Sequence, residues 1–363
     1  MTLQSFKRTV FPKSNPKQKR PLIIPIFLPH MGCPHQCLFC NQTSITGYSN
    51  KLPSKASMSR QIERFLSFCR QKRQFTEVSF YGGNFLGLSF DQITDLLSHA
   101  SIYIQKGHIN GIRFSTRPDT IEPKCLELIS SFPISTVELG VQSMNDQVLA
   151  MVRRGHNRSD IKTAIALLKQ TNYAIGLQLM IGLPGDTFKG MMESAYQIAA
   201  IKPDFVRIYP TLVLKGSPLS KWYQTGKYTP LSLPYAIEQT KSLFLMFQKK
   251  GITVIRMGLQ ASYELNQYDT VLAGPYHPAF GHLVLSSIYK DAIYQMLSKI
   301  FPDSQTSEKN RSVQLSANPK DISKVQGLKN KNLFLLKKEF NLFQLKVIPD
   351  PALPIGILSL KMP

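Results

Sequence analysis

Short apolar segments alternate with amphipathic segments along most of this chain, and that alternation constrains the fold more than any other feature. The predicted strands are Leu22–Leu28, Glu77–Tyr81, Gly111–Ser115, Thr136–Val141, Ala174–Ile181 and Phe205–Tyr209. Between them, apolar residues recur at three- and four-residue spacing, which is typical of helices. The predicted helices are Ser59–Gln71, Phe90–Gln105, Pro123–Ser131, Asn145–Val152, Arg158–Gln170 and Lys189–Ala200, with Ser59 and Ser159 as N-caps. Repeated units of this kind predict a parallel sheet with right-handed crossovers.

A polar or glycine-rich motif directly follows each predicted strand. Barrel enzymes build their active sites at the carboxyl ends of the strands, so these motifs are expected to converge on one mouth. Six units are fewer than the eight of a complete barrel. The sequence therefore predicts an α/β protein built on a partial (β/α)6 barrel, with a doubly wound open sheet as the alternative.

The alternation weakens after Pro210, where a small α/β unit is predicted. The predicted elements are a helix at Ser232–Lys250, a strand at Ile252–Leu259, a helix at Tyr276–Ile300, a polar linker at residues 302–311, and then strand, helix and strand at Val313–Ser316, Asn330–Phe340 and Leu345–Ile348. We expect three parts: a basic N-terminal arm over residues 1–20, the partial barrel over residues 21–260, and a C-terminal helical and small α/β extension over residues 261–363.

The charge balance points to an anionic partner. Lys and Arg number 44 against 22 Asp and Glu, giving a formal net charge of +22. This excess favours nucleic acid, with a basic solvated surface as the alternative. The arm from Lys7 to Arg20 either adds phosphate affinity or is a disordered tail. No apolar run is long enough for a membrane span, and the basic N-terminus lacks the apolar core of a signal peptide, so we expect a cytoplasmic protein.

Three of the five cysteines, Cys33, Cys37 and Cys40, lie close together after the first predicted strand. Thiolates at Cys-x3-Cys-x2-Cys spacing suit three corners of a cubane iron–sulfur cluster and leave one iron open for a small molecule. Two alternatives remain: a zinc site completed by His30 or His35, or a redox pair formed by the last two cysteines.

The other two cysteines, Cys69 and Cys125, stand alone in helical patterns and are interpreted as small buried side chains. Five cysteines in a chain of this length do not form a disulfide framework.

At these cysteines the sequence resembles the radical S-adenosylmethionine (SAM) superfamily, whose signature is this spacing after the first strand of a partial barrel. The resemblance covers roughly residues 22–215 and includes the aromatic Phe39 beside the last cysteine. It implies a [4Fe–4S] cluster on Cys33, Cys37 and Cys40 whose open iron chelates SAM. A reducing electron, from a donor such as a flavodoxin or a ferredoxin, then splits SAM into methionine and a 5′-deoxyadenosyl radical.

The resemblance also assigns residues to the methionine end of SAM. Gly82, Gly83 and Asn84 match the family's glycine motif, where the backbone receives the methionine amino group. Paired glycines permit such close backbone approach. Ser115 matches a position near the methionine moiety. Arg154 matches an arginine that pairs with the SAM carboxylate, a task that suits the two-pronged guanidinium.

Three further positions match family contacts to the nucleoside of SAM. Gln142 corresponds to a position at the barrel mouth that contacts the ribose. Gln178 stands where relatives often carry an aspartate on the ribose hydroxyls. Gly182 begins the Gly-Leu-Pro-Gly segment, whose backbone is implied to hold the adenine edge.

Within the superfamily, the chain is most similar to the Elongator catalytic subunit and its short bacterial relatives. Arg207–Thr211, Lys215–Ser217 and Val254–Gln260 carry much of that similarity. It implies a radical modification of the wobble uridine of tRNA. The sequence up to Pro363 shows no counterpart of the acetyltransferase domain of Elongator enzymes, whose cluster spacing is also longer.

Two other functions remain open. One is a radical SAM enzyme on a small molecule, like oxygen-independent coproporphyrinogen oxidase, and the other is a non-catalytic iron–sulfur protein that binds RNA or acts as a sensor. For any substrate, the residues expected to make contact are Tyr209, Lys215, Arg256, Gln260 and His277.

Overall fold

The computed structural model describes residues 5–11, 21–48, 50–68, 75–302 and 311–362. The described residues divide into two compact units. The first contains those between 18 and 236 and between 249 and 278, and the second contains the remainder. Cys69 lies outside the described residues, as do most of the predicted basic arm and most of the linker predicted at residues 302–311.

Thirteen strands and twelve α-helices lie within the described residues. The strands are β1 (Ser5–Thr9), β2 (Leu22–Leu28), β3 (Thr76–Gly82), β4 (Gly111–Thr116), β5 (Ile134–Gln142), β6 (Ala174–Ile181), β7 (Phe205–Pro210), β8 (Val213–Leu214), β9 (Thr253–Met257), β10 (Val271–Ala273), β11 (Ser312–Ala317), β12 (Gln344–Pro349) and β13 (Ile357–Lys361). The helices are α1 (Gln42–Thr46), α2 (Lys55–Ser67), α3 (Phe90–Gln105), α4 (Pro123–Ser130), α5 (Asp146–Met151), α6 (Arg158–Leu168), α7 (Phe188–Ile201), α8 (Pro218–Gln224), α9 (Leu233–Lys249), α10 (Phe280–Ile300), α11 (Ile322–Gln326) and α12 (Lys331–Glu339).

The first unit is built on one seven-stranded sheet in the order β2-β3-β4-β5-β6-β7-β9. All of its neighbouring strands are parallel. The order follows the chain without reversal, whereas a doubly wound sheet reverses at a switch point. The sheet is therefore the curled wall of a partial barrel, and that prediction is confirmed. β9, predicted from the sequence as a strand beyond the six units, extends the wall to seven.

The two faces of the wall differ, as β5 shows. Val137, Leu139 and Val141 are fully buried on one face. Glu138 and Gln142 alternate with them and therefore lie on the opposite face, because successive side chains of a strand point to opposite sides. Polar side chains consequently line the inside of the curl.

The predicted helix Phe90–Gln105 is confirmed, but both predicted N-caps are wrong. Helix α2 begins earlier than expected, and Ser54, not Ser59, accepts a hydrogen bond from the first-turn backbone. Helix α6 is capped by Asn157, not Ser159, and the cap forms a reciprocal pair of hydrogen bonds with the third helical residue. In both cases another polar side chain stands nearer the first turn and satisfies its free N–H groups.

The second unit contains a four-stranded sheet in the order β1-β13-β11-β12. Its core includes Tyr289, Leu315, Phe340 and Leu360, all fully buried or nearly so. The N-terminal segment is not entirely a free arm, since β1 pairs antiparallel with β13.

Two boundaries differ from the expected ones. Residues 261–278, expected in the C-terminal extension, lie in the first unit, where β10 pairs antiparallel with β8. The helix expected from Tyr276 begins at Phe280. Among the described residues, no helix has the length and apolar character needed to cross a membrane.

Candidate functional site

The loop formed by residues 30–41, which we call the cysteine loop, follows β2 and carries Cys33, Cys37 and Cys40. The Leu38 peptide fastens it to two other segments. Its N–H donates to the carbonyl of Val152 at 3.0 Å, and its carbonyl accepts from the N–H of Leu219 at 2.7 Å. The three thiols are therefore held at the carboxyl end of the first barrel strand.

The three thiols differ in exposure. Cys37 is buried, while Cys33 and Cys40 are partly exposed. Desolvation of the sulfur, reinforced by the neighbouring Cys37 and Cys33, raises the pKa of Cys40 to about 12. Thiols in this state bind metal by losing their protons, so metal uptake is coupled to proton release.

The three thiols of the cysteine loop have the chemistry of cluster ligands, since a cubane cluster binds its thiolates through separate irons. In the part of the chain that the structure describes, no three His, Cys, Asp or Glu side chains form a group that could hold one metal ion. The two histidines considered as zinc ligands have other neighbours: His30 Nε2 accepts from the N–H of Gln42 at 2.9 Å, and His35 Nε2 lies 3.3 Å from Arg117 Nη1.

Gly83 lies directly against the cysteine loop. Its N–H donates to the carbonyl of Leu28 at 2.8 Å. A Cβ atom on Gly83 would lie 2.0 Å from the Met31 carbonyl oxygen and 2.7 Å from that of Leu28. Both neighbours are backbone atoms, so only glycine permits this approach. The glycine motif therefore has a structural cause, and its contact with the SAM amino group stays a prediction.

We expect Gly83→Ala to displace the cysteine loop and to lower both the thermal stability and the iron content after reconstitution. Gly107→Ala is the matched control: Gly107 has φ +70° but no atom within 4 Å of the added Cβ. The control should therefore lose only about 1 kcal/mol of stability, because alanine is less favourable than glycine at a positive φ. Melting by circular dichroism and iron analysis distinguish the two, and equal losses in both variants would refute the steric argument.

Arg154 joins the segment after α5 to the cysteine loop. Its buried side chain donates from Nη1 to Cys37 Sγ at 3.2 Å and from Nη2 to the Gly140 carbonyl at 2.6 Å. Its Nε has no partner among the described residues. Nearby, Gln142 has a left-handed backbone with φ 69°, and its buried Oε1 also lacks a described partner. A free donor and a free acceptor beside a cysteine sulfur fit a polar small molecule such as SAM.

Arg117 stabilises the position of Arg154. It donates to the backbone carbonyl of Arg154 and pairs with Asp119 through two N–H groups, at 2.9 and 2.8 Å. The side chain of His156 is buried, with Nδ1 3.9 Å from Asp119 Oδ1. Burial, with the nearby Arg154, lowers the pKa of His156 to about 3, so its imidazole is neutral at pH 7.

The side chain of Asn84 makes four hydrogen bonds within the protein. Its Oδ1 accepts from Thr116 Oγ1 at 2.7 Å, from the Arg117 N–H at 2.9 Å and from Thr120 Oγ1 at 3.0 Å. Its Nδ2 donates to the Gly32 carbonyl at 3.0 Å. The Asn84 side chain therefore links the cysteine loop to the end of β4, and the contact of the motif's backbone with SAM stays a prediction.

Glu138 is the centre of a charged network inside the curl. The Glu138 carboxylate lies 3.0 Å from Arg113 Nη1 and 2.7 Å from Arg207 Nε, and it accepts from Tyr81 OH at 3.1 Å. Gln178 Nε2 lies 3.3 Å from it. Burial alone would raise the pKa of Glu138, but Arg207 and Arg113 hold that pKa below its usual value.

Three predicted site residues are attached to this network. Gln178 Nε2 also lies 3.4 Å from Ser115 Oγ, and Arg207 Nη1 donates to Tyr209 OH at 3.3 Å. A register shift in β9 brings Arg256, not Ile255, next to Arg207, so Arg256 lies on the inner face of the wall.

The other predicted residues lie outside the network. Lys215 pairs with Asp269 at the surface, 3.4 Å apart. Gln260 is exposed, and His277 is half-buried in the loop before α10. The carbonyl of Gly182 accepts a hydrogen bond from Tyr228 OH at 2.6 Å, which leaves less of that backbone for adenine. Phe39 packs against the apolar cluster that contains Leu38.

The charged network around Glu138 was not predicted from the sequence. Its signal was present, because Arg113, Glu138 and Arg207 are charges flanked by apolar residues inside predicted strands and Glu77 begins another predicted strand. A buried charge requires an oppositely charged partner, so two acids and two bases at such positions indicate pairs.

Two family models match the chain in sequence order. The Radical SAM superfamily model matches residues 28–196, and the Radical_SAM C-terminal domain model matches residues 203–290. An uncharacterised protein of Methanocaldococcus jannaschii is 29% identical over 215 residues, which cover 55% of this chain and 64% of that protein. The tRNA uridine(34) acetyltransferase of the same archaeon is 35% identical over 126 residues, covering 34% of this chain and 23% of that protein.

A solved structure supports the fold. The Elp3 of Methanocaldococcus infernus with an N-terminal deletion superposes with a TM-score of 0.61 at 19% identity, covering 75% of this chain and 63% of that chain. The chain spans less than two thirds of the length of these relatives. Because two models of one superfamily match in order across the barrel and the segment that follows it, this chain belongs to the radical SAM superfamily, whose enzymes use a [4Fe–4S] cluster and SAM.

Proposed function

We propose that this chain binds a [4Fe–4S] cluster through Cys33, Cys37 and Cys40 and cleaves SAM reductively, in the cytoplasm, to begin a modification of tRNA. When bound, the cluster supplies the electron that splits SAM into methionine and a 5′-deoxyadenosyl radical. One contact carries the proposal: Arg154 Nη1 lies 3.2 Å from Cys37 Sγ. It sets a buried guanidinium with a free N–H beside a predicted cluster thiol.

The chain's own residues bind and orient SAM in this proposal. Arg154 pairs with the carboxylate of SAM through its free Nε, a charge-assisted hydrogen bond. Gln142 offers Oε1 to a ribose hydroxyl, and Gln178 with Ser115 lines the same inner face of the wall. Neutral His156 adds no second positive charge beside Arg154.

Two observations support tRNA as the substrate class. The net charge of +22 suits contacts to phosphates. A relative that matches 34% of this chain is named a tRNA uridine(34) acetyltransferase. A small electron-transfer protein, a flavodoxin or a ferredoxin, supplies the reducing electron in this proposal.

Anaerobic reconstitution with iron and sulfide, followed by SAM and dithionite, tests the proposal. Mass spectrometry is expected to detect 5′-deoxyadenosine, formed faster when bulk tRNA is added. If a cluster forms but no 5′-deoxyadenosine appears with tRNA present, the chain is an iron–sulfur binding protein instead. If only zinc binds and no cluster can be built, the cysteine assignment fails.

Arg154→Lys is expected to raise the Kd for SAM by about tenfold or more, because a charged hydrogen bond contributes roughly 1.5–3 kcal/mol. Lysine keeps the charge but loses the fork that holds Cys37 Sγ and the Gly140 carbonyl. Arg158→Lys, on the exposed first turn of α6, is the control. Equilibrium dialysis of labelled SAM gives the affinity, and an unchanged Kd at equal iron content would remove Arg154 from the SAM site.

A further inference from the structure

A cleft of about 420 Å³ lies beside the cysteine loop, and none of its lining residues is one that we assign to the cluster or to SAM. Gln36 and Leu38 line it from the cysteine loop, Arg153 from the segment after α5, and Lys221 and Trp222 from α8. All three segments follow carboxyl ends of barrel strands, so the cleft opens at the same edge of the sheet as the thiols.

The walls of the cleft are joined by the Leu38 peptide. Its N–H donates to Val152, the residue before Arg153, and its carbonyl accepts from Leu219 in the helix that carries Trp222. Asn41 Nδ2 donates to the Lys215 carbonyl at 2.6 Å and fixes the entry to that helix. The cleft is thus preorganised, and its walls are joined to the backbone between Cys37 and Cys40.

The lining of the cleft combines two cations with one aromatic ring. Arg153 and Lys221 are exposed cations, and none of the described residues that line the cleft is acidic. Trp222, half-buried, supplies an aromatic face and is the single tryptophan of the chain. Arg153 has φ 56°, a left-handed backbone that is uncommon for a residue other than glycine and that gathers at binding sites. Cations beside an aromatic ring bind unpaired nucleotides through phosphate contacts and stacking.

We propose that this cleft binds an unpaired nucleotide of the RNA substrate that flanks the modified one. Arg153 and Lys221 contact its phosphate, and its base stacks on Trp222. This inference rests on the proposed function, in which RNA is the substrate. It places an RNA contact beside the cysteine loop, at residues other than those that we assign to SAM.

Fluorescence of Trp222 reports directly on the cleft, because no other tryptophan contributes. Full-length protein, kept anaerobic, is titrated with a short RNA stem–loop and with a fully paired RNA of the same length. We expect the stem–loop to quench Trp222 and the duplex to quench it much less at equal salt. Equal quenching by both RNAs would overturn base stacking, since both carry the same phosphates.

Matched charge reversals test the cations. Lys221→Glu is expected to weaken stem–loop binding, followed by anisotropy of labelled RNA, at least about fivefold more than Lys227→Glu, an exposed lysine outside the cleft. Trp222→Leu keeps an apolar side chain against the neighbouring cluster and is expected to weaken binding without unfolding the protein. Equal losses in both lysine variants would show a general field of positive charge and refute the site.

Two further outcomes separate this inference from the proposed function. If a flavodoxin quenches Trp222 and the stem–loop does not, the cleft docks an electron donor and the nucleotide assignment is wrong. If SAM cleavage proceeds normally but the stem–loop leaves Trp222 unchanged, the radical SAM chemistry stands and the cleft assignment alone is lost. If neither SAM cleavage nor RNA binding occurs, both fall.

Discussion

Cys37→Ala is expected to abolish formation of 5′-deoxyadenosine and to remove the visible absorbance of the reconstituted cluster. Outer-shell partners of a metal site typically contribute roughly 10- to 100-fold to affinity or activity, and loss of a direct ligand costs more. Cys37 is also the thiol that Arg154 contacts at 3.2 Å, so its loss removes a hydrogen-bond acceptor from a buried guanidinium. Of the three cysteines it therefore has the largest expected effect.

Cys125→Ala is the matched control for that variant. Cys125 is also buried, but it lies in α4, away from the cysteine loop. The control should keep its cluster and its activity while losing a similar amount of buried side chain. Iron and sulfide content, absorbance and 5′-deoxyadenosine are measured on both proteins. Cluster content in Cys37→Ala equal to that of Cys125→Ala would show that Cys37 is not a ligand.

The sequence predicts the barrel well because each strand carries its own signal. A run of apolar residues closed by a polar motif marks β2 to β7, and the helix α3 lies at its predicted residues. Helix starts are predicted less well, because a cap depends on which of several nearby polar side chains reaches the first turn. Ser54 and Asn157 do so, whereas Ser59 and Ser159 lie inside their helices.

Short strands that form only by pairing with a distant part of the chain could not be predicted from the sequence. β8 and β10 pair across nearly sixty residues of sequence, and β1 pairs with β13 at the opposite end of the chain. A two- or three-residue strand has too little periodicity to be found in sequence, and its existence depends on the partner strand. The pairing of β10 with β8 also ties residues 261–278 to the first unit, which the composition of that segment did not indicate.

At the candidate site, the sequence predicts which residue types take part. It does not predict which neighbours each side chain contacts. The spacing of Cys33, Cys37 and Cys40 indicated a cluster without any structure. In contrast, the role of Asn84 depends on four partners in two other segments, Gly32 in the cysteine loop and residues 116–120 at the end of β4, which only the fold brings together. Likewise, a bulge in β9 decides that Arg256 lies beside Arg207 on the inner face.

Glu138→Ala is expected to destabilise the barrel by about 3–5 kcal/mol, because it leaves a buried cation without its counter-charge. Arg113 keeps a second carboxylate, Glu77, at 2.6 Å. Arg207 has no such replacement among the described residues and retains only the hydroxyls of Tyr81 and Tyr209, at 2.8 and 3.3 Å. The uncompensated charge is therefore that of Arg207. Urea unfolding followed by circular dichroism measures the loss.

Asp95→Ala is the control, because it breaks an exposed ion pair with Lys55 whose side chains are 72% and 66% exposed. Such a pair contributes about 0–1 kcal/mol. If the two variants lost equal stability, the network around Glu138 would have no special energetic role.

The ionisation of Glu138 also predicts how the free energy of unfolding depends on pH. The folded state holds the pKa of Glu138 below its usual value, so its ionised form stabilises the fold above the unfolded pKa of about 4.3. That contribution is lost as the pH falls through the lowered folded-state pKa. The stability difference between the wild-type protein and Glu138→Gln should therefore be constant from about pH 7 to pH 5 and should narrow only in more acidic solution. A difference that instead grew on acidification would mean that Glu138 is protonated in the fold and that Arg207 draws its counter-charge from elsewhere.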